Sequence, residues 1–208
     1  MSLRPAEKPV VAVFDFDGTL TRRDTLLPFL ISVAGPTIFI RHMLQLVPVL
    51  IAYRLGLMRN DLAKQRVLRR FLCGMASASL QSKAQHFATS TVPQLLRPEA
   101  MQRLQWHQRQ GHRCIVISAS LQLYVEPWAS AAGCREVLAT ELEVRVGQVT
   151  GNINGENCFG SEKVRRLEAL LGDRGGYILY AYGDSRGDRE LLASADHAYY
   201  RNFPANPE

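Results

Sequence analysis

The chain has 208 residues, 47% of them apolar, which is enough for one domain with a sizeable insertion or two small domains and excludes a disordered chain. Its 25 Lys and Arg outnumber 19 Asp and Glu, giving a formal net charge of +6. That balance favours anionic partners without choosing among nucleic acid, anionic lipid and phosphorylated small molecules.

The cations are scattered (Arg22, Arg23, Arg41, Arg54, Arg59, Arg69, Arg70, Arg165, Arg166), with no basic stripe interleaved with aromatic residues, so nucleic acid is not an expected partner. Cys73, Cys114, Cys134 and Cys158 are widely spaced, with no Cys-x-x-Cys and no His at zinc-ligand spacing. Free thiols in a reducing compartment are expected. The polar start, Met1 to Pro9, has no apolar centre of a secretory leader, and a cytoplasmic location is expected.

In chain order, the first element is the apolar run Val10 to Phe14, bounded by Pro9, which predicts a strand buried on both faces as in a parallel sheet. It ends in Asp15-Phe16-Asp17-Gly18, where a glycine turn can bring two carboxylates to one pocket. Two acids that close repel each other unless a cation or a shared proton relieves them, which points to a metal site, an acid/base pair, or both.

From Thr25 to Tyr53 the chain is largely apolar, its charge-free character interrupted only by Arg41 and His42. The uncharged run Thr25 to Ile40 is only 16 residues and holds Pro28, Gly35 and Pro36, and Pro48 is expected to break the next piece. Helices packed together or lying on a membrane surface are predicted rather than a spanning helix. Periodicity from Asn60 predicts a helix ending near Gly74, then helices over roughly 79–91 and 98–110. Residues 22–90 thus form an all-helical insertion directly after the first strand.

Cys114 to Ile117 is a second buried strand, ending in Ser118-Ala119-Ser120 before a helix from about Leu121 to Ala132. Val137 to Ala139 suggests a short strand, and Glu141 to Asn154, with Gly147, a hairpin. Ser161 is placed as the N-cap of a helix through Leu171 that carries Lys163. Tyr177 to Tyr182 is a third strong strand ending in Gly183-Asp184-Ser185-Arg186-Gly187-Asp188, and His197 to Tyr200 a last one.

Strands alternating with helices imply an α/β fold with a doubly wound parallel sheet, whose strand ends converge on one crevice. Asp15, Asp17, Ser118, Asp184 and Asp188, with Lys163, therefore meet there, and acids, a hydroxyl and a lysine suit a divalent cation such as Mg²⁺ and a phosphate. With repulsion screened, Asp15 can attack phosphorus and Asp17 can move the leaving-group proton.

These motifs resemble those of haloacid dehalogenase superfamily phosphatases: Asp15 to Leu20 matches the first, Ser118 the second, Lys163 the third and Gly183 to Asp188 the fourth. The resemblance implies Asp15 as nucleophile, Asp17 as acid/base, and Thr19, Ser118 and Lys163 as phosphate binders. It implies Mg²⁺ held by Asp15, the backbone carbonyl of Asp17 and Asp184, with Asp188 supporting. It further implies a catalytic core of 1–21 and 91–208 with a Rossmann-like sheet, and a helical cap over 22–90.

The placement of the insertion is similar to the phosphoserine-phosphatase-like subgroup, in which Asp24 falls at a substrate-binding cap position. Gly18 and Ser185 depart from that subgroup's usual serine and glycine, and the cap is more apolar, reminiscent of phosphatidylglycerophosphate phosphatases. The expected substrate is a small phosphorylated metabolite or a lipid phosphate. Peripheral contact of the cap with the inner membrane, or an oligomer interface there, follows from the same apolar stretch.

A phosphotransferase sharing the aspartyl-phosphate is the nearest alternative. A receiver domain fits less well, because the middle strand ends in Ser118 rather than an acid and a receiver has no helical insertion. A dehalogenase usually lacks the second acid, and a non-catalytic lipid- or protein-binding module would have lost a catalytic residue; none is lost.

Overall fold

A computed structural model of the protein describes residues 8–204. The polar start before Lys8, on which the expectation of no leader rests, lies outside the described residues. Six strands form one sheet in the order β4-β3-β2-β1-β5-β6: β1 Val10–Asp15, β2 Arg113–Leu121, β3 Glu136–Arg145, β4 Gln148–Asn154, β5 Ile178–Gly183 and β6 His197–Tyr200. All pairings are parallel except β3 with β4. The described residues include nine α-helices: α1 Leu26–Ala34, α2 Pro36–Arg54, α3 Asn60–Leu72, α4 Ser77–Ser90, α5 Val92–Leu95, α6 Pro98–Arg109, α7 Gln122–Ala131, α8 Ser161–Leu171 and α9 Arg189–Ser194.

The unbroken apolar run of β1 is explained by its place at the centre of the sheet. Val11 and Val13 pack with Ile115, Ile117, Leu167 and Leu191 on one face. Ala12 and Phe14 pack with Val116, Tyr124 and Trp128 on the other, as strand alternation requires. Phe14 also stacks on Tyr182 of β5 at 4.4 Å between ring centroids. The strand order reverses at β1, the place where open α/β sheets form a crevice beyond their carboxyl ends.

The chain leaves this layer at Thr21 and returns at Leu96, which form an isolated antiparallel bridge. Arg22 N donates to Leu95 O at 2.8 Å, and Arg97 N to Leu20 O at 2.9 Å. Between those crossings lie α1 to α5. Phe87 packs edge to face on both Phe29 and Tyr124, and Phe29 packs tilted on Tyr124, tying α1 and α4 to α7.

Four details differ from the sequence expectation. β2 does not stop at Ser118 but runs through it to Leu121, with an irregularity in its pairing with β3 between Ser118 and Leu121. Pro48 does not break α2, which is one continuous 19-residue helix. Pro48 and Leu44, whose carbonyl loses its helical partner, are both exposed residues on the solvent side of the helix. Gly160, not Ser161, is the N-cap of α8, and Ser161 is its first helical residue. Finally, the strand around Val137 runs unbroken into the hairpin as the ten-residue β3. All four cysteines are free.

Candidate active site

β1 delivers Asp15 to the crevice with only 5% of its surface exposed. The chain then turns through Phe16, which is buried against Trp128 at 5.0 Å, and through Gly18 at φ +76°. A Cβ on Gly18 would stand 2.3–2.8 Å from the carboxylate atoms of Asp184. Glycine is therefore required twice over, by the left-handed backbone and by the close approach of the β5 loop. Gly18→Ala is expected to cost about 1–2 kcal/mol of stability in chemical denaturation. By displacing Asp184 it should also weaken cation binding about tenfold or more, read as the Mg²⁺ dependence of the thermal midpoint. Unchanged Mg²⁺ dependence would refute the coupling of Gly18 to Asp184.

Lys163, from the first turn of α8, is 2% exposed. Its ammonium donates to Asp15 Oδ1 at 2.5 Å, Asp188 Oδ1 at 2.6 Å and the Ile117 carbonyl at 3.4 Å. Burial alone would lower its pKa, but the two carboxylates hold it above the ordinary lysine value. Burial would likewise raise Asp188, yet Lys163 and the Ser185 hydroxyl keep it below the usual range. Asp15 goes the other way: burial pushes it up to about 7 against the pull of Lys163. One ammonium cannot neutralise two buried acids, and Asp188, with more donors, keeps the charge.

Asp188 is already saturated, since its Oδ2 accepts from the backbone N–H groups of Asp184 and Ser185 at 3.2 and 3.0 Å and from Ser185 Oγ at 2.8 Å. Ser185 closes a capping box with Asp188, which gives that hydroxyl a structural task. Asp184 is raised by burial and by the charge of Asp188, and its Oδ1 is buried without a partner. One oxygen from each of Asp15, Asp184 and Asp188 lies within 4.8 Å of the others. Three carboxylates facing one ammonium, one of them with an orphaned oxygen, fit a hard divalent cation that takes oxygen ligands, such as Mg²⁺.

Asp17 lies apart from that cluster. Its Oδ1 accepts from the backbone N–H and the hydroxyl of Thr25 at 2.9 and 2.6 Å, and Ser120 donates to its Oδ2. Behind them Tyr124 donates to Ser120 Oγ at 2.9 Å. Burial, and next the charge of Asp24, push Asp17 up to about 6, with the bonds from Ser120 and Thr25 opposing.

Asp15, Asp17, Ser118, Lys163 and Asp184 line a cleft of about 630 Å³. Ser118 Oγ accepts from Ser120 N at 2.9 Å. Asp24 also lines the cleft, and its carboxylate accepts from Leu26 N at 2.9 Å. Asp188 and Thr19 are not brought to the cleft wall: Asp188 stands behind Lys163, and Thr19 is buried with its hydroxyl unpartnered.

Residues that sequence reasoning missed are Thr25, Ser120 and Tyr124 around Asp17, and Lys64 with Asn157. Lys64 of α3 reaches across the cleft to the carbonyl of Ala119 and to Asn157 Oδ1, the latter at 2.7 Å. Burial lowers it to about 8 against the pull of Asp17 and Asp24. In the sequence it is one of several cations on an amphipathic helix, and nothing local distinguishes it.

The haloacid dehalogenase-like hydrolase family model matches residues 12–193. Protein CicA of Caulobacter vibrioides is 37% identical over 201 residues, spanning 96% of this chain and 89% of the relative. The crystal structure of a protein of unknown function from Bordetella pertussis Tohama I superposes with a TM-score of 0.76 at 25% identity, covering 90% of this chain and 87% of that one. A phospho-aspartyl intermediate analogue of phosphoserine phosphatase shares the fold, with a TM-score of 0.60 at 16% identity, covering 91% and 84% of the two chains.

Proposed function

We propose that this chain, which belongs to the haloacid dehalogenase-like hydrolase family and is a phosphatase within it, hydrolyses a phosphomonoester through an aspartyl-phosphate formed on Asp15. The observation that carries the reading is the pairing of Asp15 with Lys163 at 2.5 Å beside a second, separately held acid, Asp17. Lys163 fixes Asp15 Oδ1, leaving Oδ2 as the attacking atom. The Asp15 Oδ2–phosphorus bond forms as the bond from phosphorus to the leaving oxygen breaks, and Asp17 gives that oxygen its proton. Asp17 then takes a proton from water as the water attacks phosphorus, releasing phosphate and restoring Asp15.

Its pKa of about 6 suits Asp17 to both tasks near neutrality. Thr25, Ser120 and Tyr124 position it. Ser118 and Lys163 bind the phosphoryl oxygens, whereas nothing in the structure brings the Thr19 hydroxyl, buried and without a partner, to them. Mg²⁺, held by Asp15, the Asp17 carbonyl and Asp184 with Asp188 behind, would supply charge neutralisation between phosphate and acids.

Residues 22–90 serve as a cap, hinged where Thr21 and Leu96 bridge. Leu27, Leu50, Tyr53 and Lys64 line the cleft from that side, and closure would exclude water from the phosphoryl group.

The test is an acid quench with a ³²P-labelled substrate: label is expected on Asp15, and Asp17→Asn should raise the trapped fraction. Asp17→Asn should also lower kcat/KM for alkyl phosphates by about 10²–10⁴-fold, while aryl phosphates, whose leaving group needs no proton, should still transfer their phosphoryl group to Asp15 with a far smaller loss. Equal losses on both substrate types would remove the acid role from Asp17. Transfer of label to glycerol in preference to water would identify a phosphotransferase using the same intermediate.

A further inference from the structure

Helix α2 carries Ile40, Leu44, Val47 and Ile51, continued by Leu55, at spacings of four, three, four and four residues. These positions fall on one face of a helix. All five are between 42% and 67% exposed, and together they form an apolar stripe about 22 Å long by helical rise. The opposite face is occupied: Leu46 is buried and Phe39 and His42 pack on Phe71 of α3. By length and composition α2 could cross a membrane, but a helix packed along one side and apolar along the other is built to lie in an interface.

Charge favours one occupant of that stripe. No Asp or Glu occurs between Thr25 and Asn60, and the exposed Arg41 and Arg54 that border the stripe make no ion pair among the described residues. Two copies joined through this face would bring unpaired arginines together. An anionic bilayer would pair them, at roughly a fivefold gain in partitioning per arginine.

The stripe also meets the active site. A groove of about 290 Å³ lined by Val47, Leu50, Ile51, Arg54 and Leu55 shares Leu50 with the catalytic cleft. Tyr53, at the same mouth, has the amphipathic ring that settles at headgroup level.

We propose that α2 docks on an anionic bilayer and that the substrate is a lipid phosphomonoester drawn from it, with its phosphate in the cleft and its apolar part leaving along the Leu50 groove. The substrate half of this proposal rests on the phosphatase mechanism above, and the docking half does not.

The test uses the full chain and the Ile40→Glu/Leu44→Glu variant, whose changed residues lie outside cleft and groove. Flotation is measured with vesicles of phosphatidylcholine alone and of equal parts phosphatidylcholine and phosphatidylglycerol. The wild type is expected to float with the anionic vesicles only, and the variant with neither, while the variant keeps its thermal midpoint and aryl phosphate hydrolysis. In mixed micelles kcat/KM for lysophosphatidate should exceed that for glycerol 3-phosphate at least about tenfold, the discrimination one or two buried methylenes provide.

Absence of wild-type flotation, or equal flotation of the variant, overturns the docking. So does a dimer that the variant dissociates, which would assign the stripe to a second copy. Equal kcat/KM for the two phosphates overturns the lipid substrate. Flotation without any metal-dependent aryl phosphatase activity would refute the catalytic mechanism and leave the docking standing.

Discussion

Asp15→Asn is expected to leave a folded protein whose phosphomonoesterase activity is lowered by about 10⁴-fold or more, the scale on which removing a covalent nucleophile acts. The amide is nearly isosteric, and its Oδ1 can still accept from the Lys163 ammonium that Asp15 meets at 2.5 Å. It also removes a buried acid whose pKa is pushed up to about 7. Above that value wild-type Asp15 is held charged at a cost the amide does not bear. The thermal midpoint of the variant without metal should therefore equal or exceed that of the wild type at pH 8. The stabilisation by Mg²⁺ should shrink, because one of the two acids with an uncommitted oxygen is gone. A scan with and without EDTA, run beside the kinetics, separates these effects. Metal-dependent hydrolysis within tenfold of wild type would remove Asp15 from its role as nucleophile.

Lys163→Met is expected to be the most damaging single substitution for stability. It leaves Asp15 and Asp188 buried without their shared cation, at a loss of about 3–5 kcal/mol. The loss should depend on pH with a definite sign. Without the ammonium, the folded-state pKa of both acids rises above the unfolded carboxylate value, so the folded protein binds more protons than the unfolded chain over the intervening range. Stability then falls as pH rises. The gap between variant and wild type in urea unfolding should widen from pH 5 to pH 8, and Mg²⁺ should narrow it by supplying positive charge to the same oxygens. A gap independent of pH would mean that Lys163 acts through packing alone.

Much of the fold was legible in the chain because its strongest strands are central. β1, β2 and β5 are covered on both faces, so their sequences are nearly continuous apolar runs, with polar residues gathered toward their carboxyl ends. Those carboxyl ends carry the chemistry: Asp15 ends β1, Asp184 follows the end of β5, and Ser118 stands just past the last β2 residue paired with β1. The same local rules failed where exposure relaxed them. Pro48 is tolerated because the bond it removes lies on the solvent side of α2, and Gly160 caps α8 through its backbone conformation rather than through the Ser161 hydroxyl.

What the sequence determined by itself was the set of chemical groups and their order along the chain, since periodicity and turn chemistry are local properties. What only the tertiary structure decided was which groups share charge. Asp188 takes the Lys163 ammonium and three Asp184–Ser185 donors, Asp184 is left with a free oxygen, and Asp17 is held by Thr25 and Ser120, the latter 103 residues away. Lys64 enters the cleft across 55 residues of chain. Coulomb and hydrogen-bond energies depend on separation in space and on burial, and neither is encoded in the spacing of residues along a chain.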